Sequence, residues 1–193
     1  MREKYQMKKK TLTWTDVEGY VHELAHQINK SGWRPDYVVG VTRGGLVPAV
    51  LLSNLLGVPM ETLKVQLRDG GECESNTWMA EDAFGYVNIE EREIIKSRWD
   101  GSKRKNILVV DDINDSGATF NWIKEDWRGS CMPGEIAWDT VWKRNVRFAA
   151  IVENLDSSFE TCYNAVEINK AEDNVWVDFP WESGWWAKHK KEL

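Results

Sequence analysis

Apolar positions along the chain switch between two rhythms. In VEGYVHELAHQINKSG, residues 17–32, they recur every three or four places, the spacing of one buried helix face. Thr13, Trp14, Thr15 and Asp16 supply capping residues before this stretch, and Gly32 marks its end. YVVGV, after Pro35, is an unbroken apolar run of strand length. TRGG then makes a tight turn, LVPAVLLSNLLG reads as a helix closed by Gly57, and METLKVQL reads as the next strand. Between 68 and 105 the pattern weakens. RDGGECESN reads as loop and NIEEREIIKSRW as one helix, and a long, poorly periodic polar stretch inside a domain suits a mobile functional loop. ILVV resumes the strands, GATFNWIKEDW is helical, and 128–145 is loop with a short helix. VRFAAIV and YNAVEI are further strands before an aromatic tail, NVWVDFPWESGWW.

Strands that alternate with helices imply an α/β domain, a mainly parallel twisted sheet flanked by helices on both faces. The expected organisation is a single domain over 1–193. Its core spans 11–152, with a mobile loop at about 68–105, and a C-terminal hood and tail occupy 153–193. Ligands of such sheets sit beyond the carboxyl ends of the strands. Two of those ends carry unusual residues, TRGG after YVVGV and DDINDSGAT after ILVV.

Small residues around Gly117 let the backbone wrap closely, and the helix behind them aims free N–H groups at the loop. Phosphate suits that arrangement, with the hydroxyls of Ser116 and Thr119 adding donors. Asp111 and Asp112 then need not touch the phosphate. They can accept from the hydroxyls of a sugar that carries it, or hold Mg²⁺, a hard cation that shares oxygen ligands with a substrate's phosphates. Arg43 can fork to a second anionic group, which Gly44 and Gly45 let approach the backbone. The ligand implied is a sugar with phosphates at both ends.

Composition narrows the field further. The chain has 193 residues, 42% apolar and 29% charged, which is enough for a substantial core. A net charge of −6 argues against a nucleic-acid partner. The basic start MREKYQMKKK lacks an apolar stretch behind it and is not read as a signal peptide, and no run is long enough to span a bilayer. Cys73, Cys131 and Cys162 are odd in number and widely spaced, as expected of a cytoplasmic protein without disulfides.

The segment ILVVDDINDSGAT, residues 107–119, resembles the phosphoribosyl-pyrophosphate signature of type I phosphoribosyltransferases. LTWTDVEGYVHELAHQI, VGVTRGGLVPAVLLSNLLGVP and WVDFPWE resemble, in order and rough spacing, segments of bacterial xanthine–guanine phosphoribosyltransferases. The resemblance implies an Mg²⁺-dependent transfer of a phosphoribosyl group from phosphoribosyl pyrophosphate to a nucleobase, with a purine expected. It implies that Asp111 and Asp112 hold the ribose hydroxyls, with Asp112 nearest the metal. Ser116, Gly117, Ala118 and Thr119, together with Asp115, would surround the 5′-phosphate, and Asp115 would also act as general base near N7. Thr42, Arg43, Gly44 and Gly45 would bind pyrophosphate, with a cis peptide before the arginine. Trp176 would stack on the base, with backbone groups of Val177 and Asp178 at its edge. Relatives are commonly dimers or tetramers, so a homo-oligomer is expected.

One position departs from the pattern. The resemblance places a lysine after FAAIV to meet a 6-oxo group, whereas this chain has Glu153 and Asn154 there. A carboxylate repels a carbonyl oxygen and welcomes an amine. Two readings stay open: the register shifts by a few residues, or the base is not an ordinary 6-oxopurine and Glu153 or Asn154 sets its identity. Two alternatives to transfer also stand. The same pocket can serve a regulator that only senses phosphoribosyl pyrophosphate. HELAH, residues 22–26, matches the two histidines and glutamate of zinc hydrolases, although only His189 remains as a third histidine.

Overall fold

A strand that is apolar without a break has to be covered on both faces, and the central strands of this chain are. The computed structural model describes residues 8–67, 71–87 and 100–182. In chain order the elements are β1 (Lys8–Thr11), α1 (Trp14–Lys30), β2 (Tyr37–Thr42), α2 (Leu46–Leu56), β3 (Met60–Lys64) and α3 (Thr77–Phe84). There follow β4 (Ile107–Asn114), α4 (Ala118–Ser130), β5 (Val146–Asn154), β6 (Tyr163–Ile168) and β7 (Val175–Asp178), with short 3-10 turns at Gly101–Lys103 and Ile136–Thr140. Five strands form one parallel sheet in the order β3-β2-β4-β5-β6. Side chains of β4 alternate between its two faces. Ile107 and Val109 join Met79, Phe84, Phe120, Trp127 and Trp138, while Leu108 and Val110 join Val17, Leu24, Ile28, Ala49 and Leu52.

Helix α1 begins as its sequence suggests. Asp16 N–H donates to Thr13 Oγ1 at 3.2 Å, and Thr13 N–H donates back to the Asp16 carboxylate at 2.8 Å. Val17, Val21, Leu24, Ala25 and Ile28 are buried, whereas His22, Glu23 and His26 face solvent. Among the described residues no group of three His, Cys, Asp or Glu side chains is arranged to hold a metal. Helix α2 stops at Gly57, whose φ of 65° is the left-handed cap that glycine adopts without strain.

Two features depart from the sequence expectation, and a third segment, 128–145, has the short helix expected of it at Ile136–Thr140 but also packs into the core. Part of the stretch expected to be loop is α3, whose Met79, Ala80, Ala83 and Phe84 are fully buried. Eight residues are too few to display a helical period. Residues 68–70 and the expected helix NIEEREIIKSRW, 88–99, lie outside the described residues. The 128–145 segment, expected as loop with a short helix, puts Trp138 in the core against Trp142, with ring centroids 5.2 Å apart, and the Trp138 indole donates to Cys131 O at 2.9 Å. Arg104 pins this segment to α3, donating to Phe84 O, Ala137 O and Thr140 O. Lastly, β1 pairs in parallel with β7 as a separate two-stranded ribbon. KKKT carries no strand signature, and its partner lies at the other end of the chain.

The three cysteines are free, and no described helix is long and apolar enough to cross a membrane.

Candidate active site

From β2 the chain moves outward to β3, and from β4 it moves the opposite way to β5 and β6. The reversal leaves a crevice between the ends of β2 and β4, where the two unusual turns lie. They meet in direct contact. A Cβ at Gly44 would fall 2.0 Å from Oδ2 of Asp112 and 2.4 Å from its Cγ. One at Gly45 would fall 2.3 Å from Val110 O and 2.8 Å from the Asp111 Cα. Only a chain without side chains at both positions can pass so close to the acidic strand end. The Thr42–Arg43 peptide is cis, and Arg43 is exposed at the lip.

The second turn has the form an anion needs. Gly117 takes φ 82° and precedes α4 without a side-chain cap of its own; Ala118 N–H makes a long hydrogen bond to Ser116 Oγ at 3.4 Å, and the N–H groups of a helix's first turn are the donors an anion takes. Ser116 is exposed and Thr119 half-buried beside them. The loop is braced from the segment after β5. Ser158 Oγ donates to Ser116 O at 2.7 Å and accepts from Asn121 Nδ2 at 3.1 Å. A Cβ on Gly117 would come within 2.7 Å of Phe159 N, so the brace and the glycine depend on each other.

Asp111 and Asp112 sit at the strand end in surroundings unfavourable to charge. Burial, and then the neighbouring Asp112, push the Asp111 carboxyl well above the ordinary carboxylate range, although the N–H groups of Asp112 and Gly45 oppose the rise. Burial pushes Asp112 up to about 6, and the Glu182 carboxylate adds to this, while the Ile113 N–H works against it. The Trp181 indole N–H also favours the Asp112 anion, without reaching the geometry of a full hydrogen bond. A site that crowds acids in this way gains when a cation or a hydroxyl-bearing ligand arrives.

Asp115 lies at the start of the phosphate loop and forms an ion pair with Lys170, Oδ1 to Nζ 2.8 Å. Asn154 ties the two together. Its Nδ2 donates to Asp115 O at 2.8 Å, and its Oδ1 accepts from Lys170 N–H at 3.0 Å. Glu153, the other residue at this strand end, is 5% exposed, and its carboxylate accepts from Thr161 and Asn114 at 2.8 and 2.9 Å. Burial raises its pKa, so the site holds a carboxyl turned into the protein. Asn114 extends this buried network to Phe159 O and Ser157.

Trp176 stands on β7, 42% exposed, while Val177 packs into the core. The Asp178 carboxylate pairs with Lys9 at 2.8 Å, and its carbonyl accepts from Leu12 N–H. The structure therefore assembles Gly44, Gly45, Asp111, Asp112 and the 115–119 loop into one crevice and carries Trp176 on the neighbouring ribbon. Sequence reasoning missed four contributors: Lys170, Ser158, Trp181 and Glu182. WVDFPWE contains the last two, and the carboxylate so close to a tryptophan was the available signal. Lys170 and Ser158 lie in polar loops with none.

The family described as Phosphoribosyl transferase domain matches residues 12–183. The chain belongs to that family. It is 29% identical over 119 residues to a xanthine-guanine phosphoribosyltransferase of Cereibacter sphaeroides, covering 58% of this chain and 62% of that one. A second xanthine-guanine phosphoribosyltransferase, from Chromohalobacter salexigens, is 23% identical over 178 residues, 90% of this chain and 84% of that one. Among solved structures, the xanthine-guanine-hypoxanthine phosphoribosyltransferase of Helicobacter pylori superposes with a TM-score of 0.62 at 16% identity, over 96% of this chain and 99% of that one. Such a likeness speaks to the fold, a mainly parallel sheet of the type I phosphoribosyltransferase kind.

Proposed function

We propose that the chain transfers the 5-phosphoribosyl group of phosphoribosyl pyrophosphate to a purine base, with release of pyrophosphate. The observation that carries the reading is the contact between TRGG and the acidic strand end, where Gly44 lies against the Asp112 carboxylate. It supports transfer because an opening suited to a diphosphate, a pair of carboxylates suited to ribose and a loop suited to phosphate then surround one point.

In this reading, N–H groups of 117–120 and the Ser116 and Thr119 hydroxyls hold the 5′-phosphate. Asp111 and Asp112 hold the ribose hydroxyls. As C1 loses pyrophosphate it gains positive charge, which the nearby carboxylates stabilise, while Thr42, Arg43, Gly44 and Gly45 receive the diphosphate. Asp115 takes a proton from the base, and Trp176 stacks on its ring, with the Val177 and Asp178 backbone at its edge. Alignment of both reactants lowers the barrier by roughly 7–11 kcal/mol at best.

The donor set fits Mg²⁺. It offers oxygen ligands from Asp112 and Asp111, both raised in pKa by burial and so favourably placed to gain from a cation. When bound, the ion would neutralise the departing diphosphate. By the same reading the enzyme works in the cytoplasm and binds neither nucleic acid nor membrane, and copies of the chain associate.

The test is base-dependent pyrophosphate release across a panel of purines and pyrimidines. Release with a purine, lost in Asp115→Asn, supports transfer. Phosphoribosyl-pyrophosphate binding without release against any base refutes it in favour of a sensor.

A further inference from the structure

Two consecutive carbonyl groups of the phosphate loop are held from one segment, the turn at the end of β5. Asn154 Nδ2 donates to Asp115 O at 2.8 Å. Ser116 O accepts twice, from Ser158 Oγ at 2.7 Å and from Ser158 N–H at 3.2 Å. The donors are themselves held. Asn154 is 5% exposed, and its Oδ1 accepts from the N–H groups of Asp156 and Lys170 at 3.3 and 3.0 Å. Asn121 Nδ2 donates to Ser158 Oγ at 3.1 Å, and Asn114 Nδ2 donates to Phe159 O at 2.6 Å. A turn fixed at so many points is a rigid template for the loop it touches.

Peptide planarity carries this constraint to the opposite side of the loop. The 115–116 and 116–117 peptides are both trans, so each N–H points opposite to the carbonyl of its own plane. Asp115 O and Ser116 O face the turn, and the N–H groups of Ser116 and Gly117 therefore face away from it. Among the described residues neither N–H meets a protein acceptor. Left-handed Gly117 then leads into the first turn of α4, so that backbone donors follow one another, the pattern of a phosphate-binding nest. Without the two side-chain donors either peptide could turn over and present a carbonyl, which repels an anion.

We infer that Asn154 and Ser158 are positioning residues: by holding the carbonyls of Asp115 and Ser116 they turn the Ser116 and Gly117 N–H groups towards the 5′-phosphate of the substrate. The inference rests on the phosphoribosyl-transfer reading for the identity of that phosphate. Both side chains act through the main chain, and neither hydrogen-bonds to the TRGG turn. Their effect is therefore confined to ligands that carry a 5′-phosphate.

The experiment measures Kd by calorimetry for phosphoribosyl pyrophosphate, ribose 5-phosphate, a purine nucleoside 5′-monophosphate and the same nucleoside without phosphate. It compares wild type, Ser158→Ala, Ser158→Thr, Asn154→Ala and the Ser158→Ala/Asn154→Ala double variant, and adds KM for phosphoribosyl pyrophosphate and for the purine. Thermal unfolding confirms that each variant is folded, and either single variant tests the inference should the other fail. Loss of one hydrogen bond is expected to raise Kd for all three phosphorylated ligands about 3- to 10-fold, and loss of both about 10- to 100-fold. The nucleoside Kd and the purine KM stay as in wild type, and Ser158→Thr, which keeps the hydroxyl, binds as wild type does. Unchanged Kd for the phosphorylated ligands in the folded variants, or an equal loss for the nucleoside, overturns the inference while transfer stands. A wild type that binds phosphoribosyl pyrophosphate and uses no base overturns transfer alone, and weaker binding of ribose 5-phosphate by the variants then still supports the inference. A wild type that binds no phosphorylated ligand overturns both.

Discussion

Replacing Asp112 with asparagine should stabilise the folded protein at neutral pH while it removes activity. Ionised, this carboxylate stands in a place that burial and Glu182 make unfavourable, and its pKa is about 6 against an ordinary 3.8. For such an acid the folded state binds its proton more tightly than the unfolded chain does. Its stability is therefore greatest below about pH 4, where both states are protonated, and falls as pH rises towards about 6, where the folded form ionises. Above that the deficit is constant, at most about 3 kcal/mol for a shift of this size. An asparagine in its place would carry no charge, and Asp111, raised in part by its neighbour, would also ionise more easily. Relaxation around the pair reduces the gain to about 1–3 kcal/mol. Urea unfolding of both proteins at several pH values reads it directly. Curves that coincide near pH 4 and separate towards about pH 7, with the variant more stable, are expected. A variant less stable than wild type at neutral pH, or a difference independent of pH, refutes the reasoning.

Other consequences follow from the close approach of the turns. Gly44→Ala places a methyl on the Asp112 carboxylate, which can swing aside, so the variant should fold but lose about 100-fold in turnover, because roughly 1 Å of displacement suffices. Gly45→Ala meets backbone atoms that cannot move aside and should lose about 1–3 kcal/mol in denaturant unfolding. Gly117→Ala asks alanine to take a left-handed φ and to press on Phe159 N. Weaker phosphoribosyl-pyrophosphate binding by calorimetry and a lower melting temperature are both expected. Trp138→Ala should cost about 3–5 kcal/mol, with kcat per folded molecule unchanged, since this ring holds the 128–145 segment to the core.

Much of the fold was legible because its buried strands are continuous apolar runs and its helices keep their period. YVVGV and ILVV could hardly be anything but interior strands, and the capping residues at 13–16 form the box their types suggest. The crevice was legible for a related reason. Glycine pairs and acidic strand ends are local features, and both turns fall at the switch point that the strand order creates. What stayed hidden depends on contacts distant in sequence. Lys8–Thr11 becomes a strand only because β7 arrives beside it, and α3 is too short for periodicity to declare. Lys170 lies in a run, NKAEDN, that reads as solvated loop; nothing local ties it to Asp115. Glu153 shows the converse. Its position in the chain suggested a ligand contact, while its neighbours in space make it a buried brace for the phosphate loop.

The central claim is that this crevice joins a phosphoribosyl group to a purine. Chromatographic detection of the purine nucleoside 5′-monophosphate, after incubation of the protein with phosphoribosyl pyrophosphate, Mg²⁺ and each purine, tests it most directly. The account predicts a monophosphate with at least one purine, and none with Asp115→Asn. Absence of any monophosphate from folded wild-type protein that binds phosphoribosyl pyrophosphate would contradict it.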